Sequence, residues 1–272
     1  MKIVVIHGSP HDGNTLKLAK RFEEIMKKSG DVQFEYLTVR DMFISPCRGC
    51  FACITKGEEF CPLKNDDTKL IIEKMDHADG VVFCAPTYVF NTPALMKNLI
   101  DRLAYLGHRP RYTGKYAVVI STTCGVGLKE SLKYLSFGTA LAWGFRLSGT
   151  LGACTHQYNC DIRSQQMLNN RIVKCADLFF ADLSRKKTEP VSLGEMMRFR
   201  IMSLHSFYSK DTFPADYRFY HENPDSAGRY YIKSAQIPLF ARIGSGLLAV
   251  IAGRSMRKER DRSCGSPQFL DW

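Results

Sequence analysis

The chain has 272 residues, of which 45% are hydrophobic and 24% are charged, so its composition is that of a globular protein with one large domain, or one domain and an appendage. The formal net charge of +11 favours an anionic cofactor or an acidic protein partner. No nucleic-acid motif and no basic stretch with interleaved aromatic residues accompanies this charge, which argues against nucleic acid as the main partner.

The first residues, MKIVVIHGSP, contain an apolar run that is too short for the core of a signal peptide and is typical of a first strand. No stretch reaches about 18 clean apolar residues, so we expect no membrane span. We therefore expect a cytoplasmic protein. In a reducing cytosol structural disulfides are rare, and clustered cysteines indicate metal or redox chemistry instead.

Strand and helix patterns alternate over the first 184 residues. Apolar or alternating runs predict strands at 2–8, 32–38, 79–85, 115–122 and 146–153. Helical spacing predicts helices at 15–30, 66–75, 91–107, 127–141 and 164–183. The third helix has Thr92 as its predicted N-cap, Pro93 at its first position and Gly107 as its stop. The alternation predicts an α/β protein with a flavodoxin-like, doubly wound, five-stranded parallel sheet of order 2-1-3-4-5.

The composition changes near residues 185–190, and the alternation then ends. An amphipathic helix is predicted at 195–208, followed by an aromatic, turn-rich stretch at 211–224 and by an apolar and then basic segment at 237–262. We predict a sheet domain at 1–184 and a mostly helical or irregular C-terminal extension at 185–272, packed on the body or on a sister subunit. A second interpretation of the last segment is peripheral contact with an anionic membrane surface.

The loop GSPHDGNT, residues 8–15, follows the first predicted strand and precedes a helix. It combines side-chain donors and glycines with the unpaired N–H groups of a helix N-terminus, which is the chemistry of a phosphate monoester site. It has neither the GK[ST] of a Walker loop nor a GxGxxG fingerprint. The alternative is a strand–helix turn with an ordinary Asn or Thr cap. The candidate phosphate ligands are Ser9, His11, Gly13, Asn14 and Thr15.

Two further loops follow the third and fourth predicted strands, at 84–93 and 121–127. In a doubly wound sheet these loops meet the first one at the carboxyl edge, where ligands bind. The rings of Tyr88 and Phe90 are placed to flank a flat ligand, and nearby backbone groups are placed to bond its polar rim. Packing against a neighbouring chain and a simple glycine-rich turn are the alternatives for these loops.

Residues 47–61 read CRGCFACITKGEEFC, with cysteines at Cys47, Cys50, Cys53 and Cys61. Thiolates at this spacing can hold a [4Fe–4S] cluster, with Gly49 and Gly57 permitting the turns. Zinc and a loop without metal remain the alternatives. The insert before the fourth cysteine is longer than in compact ferredoxin motifs. Of the other cysteines, we predict that Cys84 and Cys175 are buried core residues.

The three loops, GSPHDGNT, PTYVFNTPALMKNLIDR and STTCGVG, resemble the flavin loops of the flavodoxin-like NAD(P)H-dependent FMN reductases. The cysteine run with CPLKNDD after it is similar to the iron–sulfur flavoprotein branch of that family. The resemblance implies that the first loop holds the FMN phosphate and that the other two line the isoalloxazine, and it implies a homodimer or homotetramer. The ring-lining residues it implies are Pro86, Thr87, Tyr88, Val89, Phe90, Asn91, Thr122, Thr123, Cys124, Gly125 and Gly127.

By this resemblance the protein is an electron-transfer flavoprotein that couples a two-electron donor such as NAD(P)H to one-electron carriers, with a redox protein or a small molecule as acceptor. Neither a catalytic acid nor a catalytic base is required. One alternative is a cluster-free NAD(P)H-dependent reductase of quinones, nitroaromatics or free flavin, and another is a flavin-binding module without turnover. We expect the neighbours Asp101 and Arg102 to form a surface or interface ion pair.

Overall fold

The computed structural model describes residues 1–155, 162–185, 189–224, 230–232 and 234–263. They belong to two compact units. The first unit is Met1–Cys50 with Pro62–Lys186, and the second is Phe51–Cys61 with Lys187–Trp272. The sequence did not indicate that a short segment of the cysteine run belongs with the C-terminal part.

The first unit contains a parallel sheet of five strands in the order β2-β1-β3-β4-β5. The strands are β1 Lys2–His7, β2 Gln33–Thr38, β3 Gly80–Cys84, β4 Tyr116–Thr123 and β5 Arg146–Cys154. The predicted fold and strand order are confirmed, and every predicted strand boundary is within one residue of the observed one. The three central strands are almost entirely buried, which explains their near-continuous apolar sequences.

The α-helices are α1 Asn14–Ser29, α2 Ala52–Thr55, α3 Thr68–His77, α4 Ala94–Arg102, α5 Tyr105–His108, α6 Leu128–Lys133, α7 Ile162–Ser184, α8 Leu193–Tyr208, α9 Pro214–Tyr217 and α10 Leu239–Ser263. Short 3₁₀ turns are formed by Val39–Asp41 and Glu58–Phe60, and π-helical turns by Tyr134–Ala140 and Arg218–Glu222. The stretch predicted to be turn-rich at 211–224 is therefore largely helical, with Pro214 in the first turn of α9. Among the helices described, none is long and apolar enough to cross a membrane.

The single helix predicted at 91–107 is wrong. The structure has two helices, because the backbone leaves the helical region at Leu103, where φ is −106° and ψ is 21°. The residue before α4 is Pro93 rather than Thr92, and it makes no side-chain cap. Within the described residues the buried hydroxyl of Thr92 has no hydrogen-bond partner. Gly107, predicted as the stop, lies inside α5.

One face of the sheet packs against α1 and α7, where Phe22 of α1 meets Phe179 of α7 with ring centroids 6.1 Å apart. Cys84 and Cys175 are both buried in this core, as predicted. Burial raises the pKa of both thiols, and that of Cys175 to about 12, so neither is a reactive thiolate near neutral pH.

In the second unit, α8 and α10 pack against each other around a small aromatic core that includes Phe199, Tyr220 and Tyr230. A capping box starts α8. The Ser192 hydroxyl accepts from the Glu195 backbone N–H at 3.3 Å, and the Glu195 carboxylate accepts from the Ser192 N–H at 2.8 Å. This cap explains why the helix begins two residues earlier than its apolar pattern predicts.

Candidate functional site

The first loop runs between the end of β1 at His7 and the start of α1 at Asn14. Its Gly8 N–H donates to the Cys84 carbonyl at 2.8 Å, which fixes the loop to β3. A side chain at Gly8 would bring its Cβ to 2.5 Å from the Cβ of Met96, so close packing against α4 requires glycine here. The Ser9 hydroxyl is buried and donates to the His11 carbonyl at 2.7 Å, which closes the loop.

The N-terminus of α1 has no side-chain cap and no acidic residue in its first turn. The ordinary Asn or Thr cap considered for this loop is therefore absent among the described contacts. The free N–H groups and the positive end of the helix dipole face the loop, and both favour a bound anion. Asn14 and His11 are exposed, whereas Thr15 is buried.

The second loop contains a two-residue turn between Tyr88 and Asn91, closed by backbone hydrogen bonds of 2.7 and 2.9 Å. Both central residues are left-handed, with φ of 47° at Val89 and 61° at Phe90. Neither is glycine, so the turn stores strain of roughly 1–3 kcal/mol per residue. Val89 is 94% exposed and Phe90 56%. Strain and exposed apolar surface together mark this turn as a contact surface for a ligand or a partner.

The third loop is tied to the other two. The hydroxyls of Thr15 and Thr122 are hydrogen bonded at 2.5 Å, and the Thr87 N–H donates to the Thr122 carbonyl at 2.7 Å. Gly127 has φ of 85°, and a Cβ there would lie 2.9 Å from the Cα of Phe90. The three predicted loops therefore meet at one edge of the sheet, as the topology predicts.

Within the third loop the Thr123 hydroxyl donates to the Val126 carbonyl at 2.8 Å and accepts from the Gly125 N–H at 3.2 Å. This local turn leaves Cys124 and Val126 exposed. Together with Tyr88 and Phe90, they border an edge that has both apolar surface and backbone polar groups. A flat heterocycle with a polar rim fits that combination.

His7, the last residue of β1, has an unusual setting. It is buried directly before the first loop, and neither ring nitrogen has a hydrogen-bond partner within the described residues. Burial lowers the pKa of His7, and the negative charge of Asp12 is the main effect that opposes this lowering. Asp12 itself pairs with Arg40 at 3.0 Å. The imidazole is therefore neutral near pH 7. A histidine at the last position of a buried strand, just before a glycine-containing loop, was the available sequence signal.

Comparison with known proteins agrees with this geometry. Residues 1–137 match the family of NADPH-dependent FMN reductases. The chain belongs to this family. Membership makes it a flavin-dependent oxidoreductase, as the three loops predicted.

Several curated relatives of the chain are iron–sulfur flavoproteins. An iron–sulfur flavoprotein of Archaeoglobus fulgidus is 29% identical over 227 residues, which are 82% of this chain and 98% of that protein. An FMN-dependent NADH:quinone oxidoreductase of Vibrio parahaemolyticus is 31% identical over 123 residues, 39% of this chain and 62% of that protein. A solved NADH:FMN oxidoreductase shares the fold, with a TM-score of 0.50 and 23% identity over 69% of this chain and 92% of its own.

In this family member the predicted cluster ligands are divided between the two units. Cys47 and Cys50 are exposed in the first unit, whereas Cys53 and Cys61 are partly exposed in the second. Across the part of the chain that the structure describes, no group of three or more His, Cys, Asp or Glu side chains is arranged to hold a metal ion. The donor chemistry of four thiols suits an iron–sulfur cluster.

The cysteine run leaves the first unit through a neck formed by residues 43–47 and 62–68. Phe43 and Asp67 join the two sides, since the Asp67 N–H donates to the Phe43 carbonyl at 2.9 Å and the Asp67 carboxylate accepts from the Phe43 N–H at 2.7 Å. On α4, Asn98 accepts from the Cys47 N–H at 3.2 Å and donates to the Ile44 carbonyl at 3.0 Å.

Arg102, one turn further along α4, holds the other side of the neck. Its guanidinium donates to the Leu63 carbonyl at 2.6 Å and to the Asp66 carboxylate at 2.8 Å. The predicted Asp101–Arg102 surface pair is therefore wrong: Arg102 is buried with Asp66, while Asp101 pairs with Lys97 on the surface. The reason is helical geometry, because neighbouring residues on a helix point in different directions.

Proposed function

We propose that the protein binds FMN at the carboxyl edge of its sheet and couples NAD(P)H, a two-electron donor, to one-electron carriers. The observation that carries this proposal is the convergence of three loops around an uncapped helix N-terminus. Bound FMN would accept two electrons as hydride and release them singly. The acceptor would be a redox protein or a small molecule.

In this proposal the phosphate of FMN lies at the N-terminus of α1, contacted by Ser9, Asn14 and Thr15, with His11 and Gly13 completing the loop. The buried Ser9 hydroxyl donates its one proton to the His11 carbonyl in the flavin-free loop, and it would turn from that carbonyl to the phosphate on binding. The isoalloxazine would lie between the turn 86–91 and the loop 122–127. Its apolar face would cover Tyr88 and Phe90, which are otherwise exposed to water.

The phosphate assignment is tested by comparing FMN with riboflavin, which lacks the phosphate. Fluorescence titration of the flavin-free protein should give an affinity for FMN at least about tenfold higher than for riboflavin, because charge-assisted hydrogen bonds are worth about 1.5–3 kcal/mol. Ser9→Ala should weaken FMN binding and leave riboflavin binding unchanged. Equal affinities for the two flavins, or an equal loss of both in the variant, would place the phosphate elsewhere.

We further propose that Cys47, Cys50, Cys53 and Cys61 hold a [4Fe–4S] cluster. The support is the spacing of four cysteines within fifteen residues, the accessibility of their thiols, and the name of the Archaeoglobus relative. A bound cluster would exchange single electrons with the flavin. The residues of this chain that act here are the neck residues Asn98 and Arg102, which position the ends of the run.

A cluster-free NAD(P)H-dependent reductase is the second candidate. The specific observation in its favour is that an FMN-dependent NADH:quinone oxidoreductase of Vibrio parahaemolyticus is among the relatives of this chain. In this version the same flavin edge would pass hydride to a quinone or a similar acceptor, and the cysteine run would have no electron-transfer role.

Anaerobic preparation separates the two candidates. The cluster proposal expects about four iron and four sulfide per chain, together with broad absorbance under the flavin bands that reductant bleaches. Replacing the four cysteines by serine should abolish the iron and leave the flavin content unchanged. The control is Cys154→Ser, an exposed cysteine outside the run. Resolved flavin bands without iron, and quinone reduction indifferent to the four substitutions, would favour the cluster-free enzyme.

We also propose that the protein is a cytoplasmic homodimer or homotetramer, with residues 185–272 packed on the body or on a sister subunit. The strained, exposed turn at Val89 and Phe90 is consistent with a nearby subunit contact. Light scattering coupled to size exclusion tests the oligomeric state. A monomer at micromolar concentration would end this part of the proposal.

A further inference from the structure

The second unit contains a cavity that the flavin chemistry does not use. It lies between α8 and α10 and has a volume of about 490 Å³. Its apolar wall includes Met196, Phe199 and Leu204 from α8 and Ala249 and Val250 from α10. A space of this size and lining is typical of a small-molecule site, for which volumes of about 300–1,000 Å³ are usual.

Two glycines of α10 create much of this space. Gly246 and Gly253 both line the cavity, seven residues apart and therefore on the same side of the helix. A Cβ built at Gly246 would meet nothing within 4 Å. At Gly253 it would come no closer than 3.8 Å to Leu204. Glycine costs about 1 kcal/mol relative to alanine inside a helix, so two glycines where alanine would fit without a clash indicate that the space itself is used.

The charged groups of the cavity are all positive. Arg200 enters it from α8 and Arg254 from α10, and none of the described residues that line it is an aspartate or a glutamate. The Nε of Arg200 is buried and has no hydrogen-bond partner within the described residues. An unsatisfied buried donor costs about 1–3 kcal/mol, and a bound anion would remove that cost.

We infer that this cavity binds an amphipathic organic anion, meaning an apolar chain that ends in one carboxylate or phosphate. The chain would occupy the apolar wall, and the headgroup would accept hydrogen bonds from Arg200 and Arg254. Val250 lines the cavity and is also 56% exposed, so the site opens towards solvent and a ligand can enter from there. Free fatty acids and the anionic lipids of a membrane both have this chemistry. The inference does not depend on the flavin or on the cysteines.

Calorimetric titration of the full chain with dodecanoate, below its aggregation concentration, tests the site. Saturable binding near one per chain is expected. Gly246→Leu should abolish it, because the added side chain fills open space without a backbone clash. The matched control is Gly194→Leu on α8, where a Cβ likewise meets nothing within 4 Å but the residue does not line the cavity. Dodecanoate binding that is absent, or is equal in the two variants, overturns the inference.

The anionic headgroup is tested separately. Arg200→Gln should weaken dodecanoate binding about tenfold or more, since hydrogen bonds to charged groups are the stronger ones, and should leave the weaker binding of dodecanol unchanged. The control is Arg242→Gln, an exposed arginine of α10 outside the cavity. An equal loss in both arginine variants overturns the assignment to the cavity. Circular dichroism and flavin content establish that each variant is folded.

Vesicles of phosphatidylglycerol distinguish the two sources of the ligand, a free fatty acid and an anionic lipid of a membrane. Binding of monomeric dodecanoate with no retention on vesicles identifies a free fatty acid site. Retention on vesicles that Gly246→Leu abolishes, together with dodecanoate binding, identifies extraction of a membrane lipid into the same cavity. Retention on vesicles that survives Gly246→Leu, without dodecanoate binding, assigns the contact to surface charge and overturns the inference.

Discussion

Arg102 and Asp66 form a buried ion pair, with 4% and 0% of their side chains exposed and 2.8 Å between Nη2 and Oδ2. The carboxylate is also bonded by the backbone and hydroxyl groups of Thr68 and by the Ser45 N–H. Burial raises the pKa of Asp66, but the hydrogen bonds from Thr68 and Arg102 outweigh it and hold the pKa below its ordinary value. Both charges are thus satisfied where the cysteine run leaves the first unit.

Arg102→Met should lower the free energy of unfolding by about 3–5 kcal/mol, because it leaves the Asp66 carboxylate buried and without its cation. The same change on the same helix at Lys97, whose pair with Asp101 is on the surface, should cost about 1 kcal/mol or less. Urea denaturation of the flavin-free proteins measures both. Equal losses would mean that burial of the first pair has no energetic consequence.

Asn98→Ala tests whether the neck positions the cysteines, and it therefore depends on the cluster proposal. Losing the contacts to Cys47 and Ile44 should lower the iron content of anaerobically prepared protein while the FMN content stays constant. If Asn98 had only a structural role, Asn98→Ala would lower the iron content and the FMN content together, or would lower neither. The control is Arg21→Ala on α1, an exposed side chain that pairs with Glu24.

The fold and the three loops were predictable because their signals are local. Buried parallel strands such as KIVVIH and GVVFC are near-continuous apolar runs, and their carboxyl ends must meet at one edge. The Arg102–Asp66 pair was not predictable, since 36 residues separate its members and only the packed fold brings them together. The prediction of an Asp101–Arg102 pair was wrong because it relied on their being neighbours in sequence.

The left-handed turn at Val89 and Phe90 was missed for a related reason. Such turns are normally signalled by Asn-Gly or Asp-Gly, and a β-branched residue is a poor choice at a positive φ. Thr87, directly before the turn, donates to the Thr122 carbonyl, and Gly127 packs closely against Phe90. Both contacts come from segments distant in sequence, and together they hold the turn in place. Sequence patterns report such strain badly, because the surrounding structure imposes it.

Val89→Asn should therefore stabilise the flavin-free protein by about 1 kcal/mol, since asparagine tolerates the left-handed region that valine avoids. The control is Val126→Asn in the third loop, a similarly exposed valine that is not at a positive φ, where a change within about 0.5 kcal/mol is expected. Urea or thermal unfolding measures both. A gain at both positions would point to lower surface hydrophobicity rather than to relieved strain.

His7 predicts a specific pH dependence. Its pKa is lowered from 6.5 by burial, so the folded protein keeps the imidazole neutral while the unfolded chain takes up a proton below about pH 6.5. Above that pH the imidazole of His7 is neutral in both the folded and the unfolded protein, so it contributes nothing to the change of stability with pH. As the pH falls below 6.5, the unfolded chain takes up a proton at His7 and the free energy of unfolding decreases, by at most about 1.4 kcal/mol per pH unit for one group.

His7→Gln, whose side chain does not titrate, should remove this pH dependence of the free energy of unfolding between pH 6.5 and 5. The exposed His11 provides the matched variant, and a slope that survives His7→Gln but disappears in His11→Gln would assign the proton to the loop instead.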